Sequence, residues 1–199
     1  YIDGMDHGFK NPLVDIEKVM PSLKDRDLLV RIKAISVNPV DTKVRRNSVV
    51  AGNMRILGWD AVGEVVEISS GVQHFKVGDQ VWYAGDLTRD GSNAEYQAVD
   101  ERIVSLKPQS LSNAEAAALP LTAITAWEML FDRFNVDLDQ SDNILVIGGA
   151  GGVGSIAIQL LKAKTNLRVI ATASREETKA WVKSLGADYV IDRTEDLNT

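Results

Sequence analysis

The sequence predicts an α/β chain built from a β-rich first module and a partial doubly wound nucleotide-binding sheet. Three observations carry that prediction. Residues 143–179, "NILVIGGAGGVGSIAIQLLKAKTNLRVIATASREETK", read as strand, glycine turn, helix and second strand. Up to about Pro108, short stretches with β character are separated by turn signals. Between these textures, "SLSNAEAAALPLTAITAWEMLFDRF" is alanine-rich and helical, interrupted at Pro120.

Each element has a local reason. In "LLVRIKAISV", Val30, Ile32 and Ala34 fall on one face of a strand, with Arg31 and Lys33 on the other. "DAVGEVVEIS" and "DQVWYA" are further strand candidates, and "SSGVQHFKVGD" supplies the turn between them. Ser112 or Asn113 caps the helical stretch, with Glu115 close behind. From Asn143 onward, β and α segments alternate, the pattern of a parallel sheet with crossover helices. Behind the glycines, Val153, Ile156, Ala157, Leu160 and Leu161 recur at helical spacing and form one apolar face.

Composition bounds the function. Of 199 residues, 45% are hydrophobic and 25% charged, ordinary values for a chain that buries a core. The net charge of −6, with no basic run, lacks the electrostatic footprint of nucleic-acid binding. No apolar run approaches the roughly 18 residues that cross a bilayer, so no membrane partner is expected. The first residues, "YIDGMDHGFK", do not read as a signal peptide, and zero cysteines exclude a disulfide framework. A cytoplasmic enzyme is the default expectation.

The glycine turn carries the chemistry. Gly149, Gly151 and Gly154 form G-x-G-x-x-G directly after "ILVI", so the backbone can turn tightly and approach a pyrophosphate. The following helix offers free N–H groups and a favourable dipole. Gly149, Gly151, Gly152, Val153 and Gly154 are therefore candidate cofactor-binding residues. A P-loop is a near miss, because Ser155 stands where its lysine belongs. Where an NAD site usually holds an acid to accept from the ribose 2′-OH, this chain has Ala173, Ser174 and Arg175, with Lys179 one helical turn on. A small residue, a hydroxyl and two cations suit a 2′-phosphate, which selects NADPH as cofactor. The alternative is that Arg175 and Lys179 belong to a solvated helix face.

The strings "SVNPVDTKVR", "LGWDAVGEVVEISSGVQHFKVGDQVW", "AALPLTAITAWEML" and "GGAGGVGSIAIQLLKAKTNLRVIATAS…LGADYVID" together resemble the medium-chain dehydrogenase/reductase superfamily. Within it the chain is most similar to quinone-oxidoreductase-like members, especially zinc-type alcohol dehydrogenase-like proteins. The resemblance implies a GroES-like β-rich catalytic domain over residues 1–120. It also implies the N-terminal half of a Rossmann domain, with connecting helices, over residues 121–199. The active site would lie in the cleft between these domains, and the full-length protein would be a homodimer.

Departures from the family narrow the chemistry. Zinc-dependent members carry a catalytic cysteine where this chain has Asn38, and a zinc-binding histidine where it has Trp59, between Gly58 and Asp60. The two histidines, His7 near the terminus and His74 in a predicted turn, are too few for a site that needs three protein ligands. No metal is expected. Without a Lewis acid, the surviving reaction is hydride transfer to an electron-poor quinone or α,β-unsaturated carbonyl.

The resemblance places Asn38 beside the nicotinamide, where it can donate to a developing oxyanion; Asn-Pro is also a turn dipeptide. It places Thr125 near the nicotinamide ribose, although a helix threonine can instead bond its own backbone. Trp59 and Tyr83 are candidate walls of an acceptor pocket or members of the core. Asp60 matches an acid of the zinc enzymes, with no evident role once the metal is absent. Lys43 replaces a tyrosine of related reductases, leaving the proton donor unassigned. The expected function is an NADPH-dependent, zinc-independent quinone or enone reductase. The alternatives are a zinc-type alcohol dehydrogenase and a non-enzymatic NADPH-binding sensor or structural protein.

A doubly wound domain has six strands in the order 3-2-1-4-5-6. The sequence supplies strand 1 at 143–148, strand 2 at 167–173 and strand 3 near "YVID". The expectation is a piece of a longer polypeptide that alone neither folds stably nor reduces a substrate, with strand 1 as an open edge.

Overall fold

A computed structural model of the chain describes residues 13–47, 55–139, 141–192 and 194. It divides into two compact units, Tyr1–Leu121 and Thr122–Thr199. The first is organised by an antiparallel sheet of β1 (Asp27–Ser36), β2 (Asp60–Ile68), β3 (Gln80–Ala84), β4 (Tyr96–Asp100) and β5 (Val104–Leu106). Its strand order is β4-β1-β2-β3-β5. Leu28, Val30, Ala61, Val65, Val81 and Val99 form its core, with Ile32 packed against them.

The predicted alternation along β1 holds only in part. Val30 is buried with Leu28 on the same face, but Leu29 between them is buried as well. Register shifts fall between Leu29 and Val30 and between Ile32 and Ala34, and such bulges break the two-residue period. Arg31 keeps its outward role and pairs with Glu64 on the neighbouring strand at 2.7 Å.

Helix α1 (Pro39–Asn47) follows β1 directly. Helix α2 (Asn113–Ala117) is started by the Ser112–Glu115 capping box and buries Ala116 and Ala117 against Val62. Pro120 opens α3 (Pro120–Trp127), where its missing N–H costs nothing. The predicted helix does not stay α beyond this point: Glu128–Arg133 widens into a π-helical turn.

The second unit holds a parallel sheet, β6 (Asn143–Val146), β7 (Arg168–Thr172) and β8 (Tyr189–Ile191), in the order β6-β7-β8. Helices α4 (Gly152–Lys164) and α5 (Glu176–Ser184) are the crossovers. This is the 3-2-1 half of a doubly wound sheet. Ala157, Ile158 and Leu161 are the fully buried positions of α4, with Val153, Ile156 and Leu160 half-buried around them. Ile158, absent from the predicted face, is part of its centre. At the β6 edge, Leu145 is 52% exposed, and Ile147 just beyond the strand is 77% exposed. No helix among the described residues is long and apolar enough to cross a membrane.

Candidate active site and dinucleotide site

Asn38 sits between the end of β1 and the start of α1. Its backbone N–H donates to the Asp41 carboxylate at 2.8 Å, and the Asp41 N–H returns a bond to the Asn38 carbonyl at 3.0 Å. The Asn-Pro turn is thus real, and it also aims the side chain. The Asn38 amide donates to Asp60 Oδ2 at 2.8 Å and to Ser36 Oγ at 3.3 Å. Ser36 Oγ donates to the same Asp60 oxygen at 3.0 Å, and the Leu121 N–H donates to Asp60 Oδ1 at 2.8 Å.

Asp60, fully buried at the start of β2, is the hub of this cluster. Burial pushes its carboxyl above the ordinary range. The donors from Asn38, Leu121 and Ser36 pull it part of the way back, and the nearby Asp41 charge adds to the rise. Sequence reasoning missed both this role and Ser36, because the partners come from β1, its following turn and the start of α3.

Trp59 and Tyr83 require correction. Trp59 is 1% exposed and packs with Leu57, Val40 and Val44. Tyr83 is 2% exposed within the sheet core, its hydroxyl donating to Gln97 at 2.8 Å. Both are interior residues, placed there by strand pairing and by the burial of their large apolar area, rather than pocket walls. Lys43 and His74 are exposed, and His7 lies outside the described residues. Among the described residues, no group of three or more His, Cys, Asp or Glu side chains is arranged to hold a metal.

The glycine turn is built by two kinds of constraint. Gly148 adopts φ +69°, the left-handed region, with its N–H donating to Thr172 Oγ1 at 2.8 Å. A side chain at Gly154 would place Cβ 2.5 Å from the Gly148 carbonyl oxygen and 2.9 Å from Gly149 Cα. At Gly149 it would meet the Ala171 methyl at 2.9 Å. These contacts draw α4 close to the strands.

Gly151 is the N-cap of α4 and carries no capping side chain, so the first-turn N–H groups of Gly152, Val153 and Gly154 lack a side-chain cap. Ser155, where a P-loop lysine would stand, is structural: it accepts from the Trp181 indole at 3.0 Å. Thr125 lies on an exposed part of α3. A groove of about 360 Å³ lined by Ile124, Trp127, Glu128, Asp132 and Leu160 contains none of the predicted site residues.

At the end of β7, Ala173 is buried, Ser174 is half-buried and Arg175 begins α5 as its N-cap. Arg175 is 74% exposed in its side chain and pairs only loosely with Glu177, at 3.3 Å. Lys179 departs from expectation. Rather than standing ready for a phosphate, its ammonium bridges Asp192 at 2.9 Å and Glu176 at 3.0 Å, and these partners raise its pKa. The reason is topological: β8 ends beside β7 and delivers Asp192 to the lysine.

An antiparallel sheet followed by a glycine-turn parallel sheet defines the two-domain architecture of a dehydrogenase/reductase. The model of the alcohol dehydrogenase GroES-like domain matches residues 24–109, and that of the zinc-binding dehydrogenase matches residues 152–199. A zinc-type alcohol dehydrogenase-like protein of Staphylococcus aureus is 49% identical over 185 residues, covering 91% of this chain and 55% of that relative. An NADPH-dependent alkenal/one oxidoreductase of Arabidopsis thaliana is 40% identical over 189 residues, covering 89% of this chain and 48% of the relative. The crystal structure of Escherichia coli quinone oxidoreductase complexed with NADPH superposes with a TM-score of 0.76 at 30% identity, over 92% of this chain and 55% of that one. The chain belongs to the medium-chain dehydrogenase/reductase superfamily and is quinone-oxidoreductase-like within it. It spans about half the length of these relatives.

Proposed function

We propose that the chain belongs to an NADPH-dependent, zinc-independent reductase of quinones or α,β-unsaturated carbonyls. The observation that carries this reading is the Asn38–Ser36–Asp60 cluster, in which an amide takes the place of a metal-binding thiolate. The names of the Arabidopsis and Escherichia coli relatives agree with it. Zinc does not fit the residues present: there is no cysteine, Asn38 spends its amide hydrogens on Asp60 and Ser36, and Trp59 is packed away. A neutral amide is also a poor zinc ligand beside thiolate and imidazole.

The cofactor fits better. Gly149, Gly151, Gly152, Val153 and Gly154 would hold its pyrophosphate: the last three with N–H groups that lack a side-chain cap and with the α4 dipole, Gly149 and Gly151 by the tight turn, since their own N–H groups are spent on the Thr172 and Gly148 carbonyls. Ser174 and Arg175 would meet the 2′-phosphate, with Lys179 beside them once drawn from Asp192 and Glu176, and Thr125 the nicotinamide ribose. Bound NADPH supplies the hydride. The remaining work belongs to the chain's own groups. Asn38 orients the acceptor and donates to the oxygen on which negative charge grows. Its 3.3 Å bond to Ser36 is the weaker of its two, so that hydrogen is the one redirected. Asp60 keeps the other fixed and holds the amide in place. A homodimer is the proposed assembly of the whole protein.

A turnover screen with NADPH and NADH against quinones, enones and aldehydes, run beside metal analysis, tests the reading. NADPH-driven reduction of quinones or enones in zinc-free protein is the expected result. Stoichiometric zinc with alcohol oxidation would overturn it, and NADPH binding without turnover on any acceptor would favour a sensor.

A further inference from the structure

The acid that a dinucleotide site usually carries at the end of its second strand is missing from this chain, yet an acid stands next to that place. The Ala173 N–H donates to the Ile191 carbonyl at 3.1 Å, and the next residue, Asp192, follows the end of β8 directly. This is the carboxyl end of the parallel sheet, where such folds bind their ligands. The Asp192 side chain is only 11% exposed. It receives the Lys179 ammonium at 2.9 Å, the Thr194 hydroxyl at 2.7 Å and the Thr194 N–H at 2.9 Å. The Thr194 and Lys179 bonds hold its carboxyl down to about 2, so it carries its charge throughout the neutral range. The other partner of Lys179, Glu176, is 91% exposed and screened by water, which makes Asp192 the stronger hold.

We infer that Asp192 is a specificity-determining residue for the cofactor: it ties up Lys179 and opposes a 2′-phosphate. The inference rests on the assignment of Ser174, Arg175 and Lys179 to the ribose site. A 2′-phosphate placed there must compete with the Asp192 carboxylate for the lysine and is repelled by that carboxylate. A 2′-hydroxyl pays neither cost and can donate to an acid. Asp192 therefore pulls the preference of the site away from the phosphate that its cations alone would favour.

Binding of adenosine 2′,5′-bisphosphate and of 5′-AMP, which differ only in the 2′-phosphate, to the protein, measured by calorimetry, isolates this effect from turnover. Asp192→Asn keeps an acceptor for Thr194 and removes the charge. It is expected to raise the bisphosphate-to-AMP affinity ratio about tenfold, the scale of one unit charge acting over several ångströms near a surface. Lys179→Met in that background is expected to cancel most of the gain. Asp192→Ser serves as the second variant, and thermal melts confirm that each variant is folded. A folded variant with an unchanged ratio overturns the role of Asp192. The unmutated protein tests the cofactor reading separately: tighter binding of 5′-AMP than of the bisphosphate refutes NADPH preference, while the change on Asp192→Asn still decides the inference.

Discussion

Asp60→Asn is the substitution whose consequence can be worked most fully. In the native cluster Asp60 Oδ2 accepts from Asn38 and Ser36, while Oδ1 accepts from the Leu121 N–H. An amide has one acceptor oxygen where the carboxylate has two. If that oxygen faces Asn38 and Ser36, the Leu121 N–H meets an NH₂ group; if it faces Leu121, the Asn38 amide does. Ser36 can rotate its hydroxyl, but a backbone N–H cannot escape. One buried donor is left unpaired, a loss of about 1–3 kcal/mol. Removing a desolvated charge returns part of this, which leaves a net cost of about 1–2 kcal/mol near neutrality.

The pH dependence has a definite sign. The folded carboxyl titrates above its ordinary 3.8 because it is buried. The stability linked to that proton is therefore fully present below 3.8 and is lost as the pH rises through the folded value. The asparagine variant has no such gain on acidification, so the cost of Asp60→Asn grows between neutral pH and about pH 4. Urea denaturation followed by tryptophan fluorescence at both pH values measures the difference. Equal stability at both, or a cost that shrinks on acidification, would show that the hub reasoning is wrong.

Three further outcomes follow from the same geometry. Asn38→Ala is expected to lower kcat with a quinone acceptor far more than it weakens NADPH binding, since its bond strengthens only as charge develops; unchanged kcat returns Asn38 to a turn residue. Arg175→Ala is expected to weaken NADPH by about 1.5–3 kcal/mol while leaving NADH nearly untouched; fluorescence titration showing equal losses would remove the 2′-phosphate assignment. Gly154→Ala drives a methyl into the Gly148 carbonyl, an overpacking cost of about 1–3 kcal/mol offset by about 1 kcal/mol of helix propensity. Its clearer signature is weakened dinucleotide binding in calorimetry, larger than for Gly151→Ala, whose Cβ clears the same oxygen by 3.3 Å.

What the sequence disclosed was local. The capping box at Ser112, the break at Pro120 and the strand–glycine–helix–strand order of the second unit depend on residues a few positions apart. The bulges of β1 and the π-helical turn after Trp127 depend on what neighbouring elements offer, which periodicity does not record. The site divided the same way. Glycine spacing marked the turn, but Asp60 gathers partners from positions 36, 38 and 121, and only folding brings those together. Lys179 looked available until β8 supplied Asp192. Trp59 and Tyr83 carried no sequence mark that separates a core aromatic from a pocket wall.

The glycines of the turn share a letter but not a reason, and that decides how freely each position can drift. Around Gly148 nothing lies within 4 Å of where a Cβ would be, so the demand there is on the backbone alone. Asparagine or aspartate, which visit the left-handed region at modest cost, can satisfy it. At Gly154 the demand is for empty space against main-chain atoms, and no side chain of any shape can meet it. Homologues that replace Gly148 can therefore keep the turn, whereas any that replace Gly154 must have moved the helix.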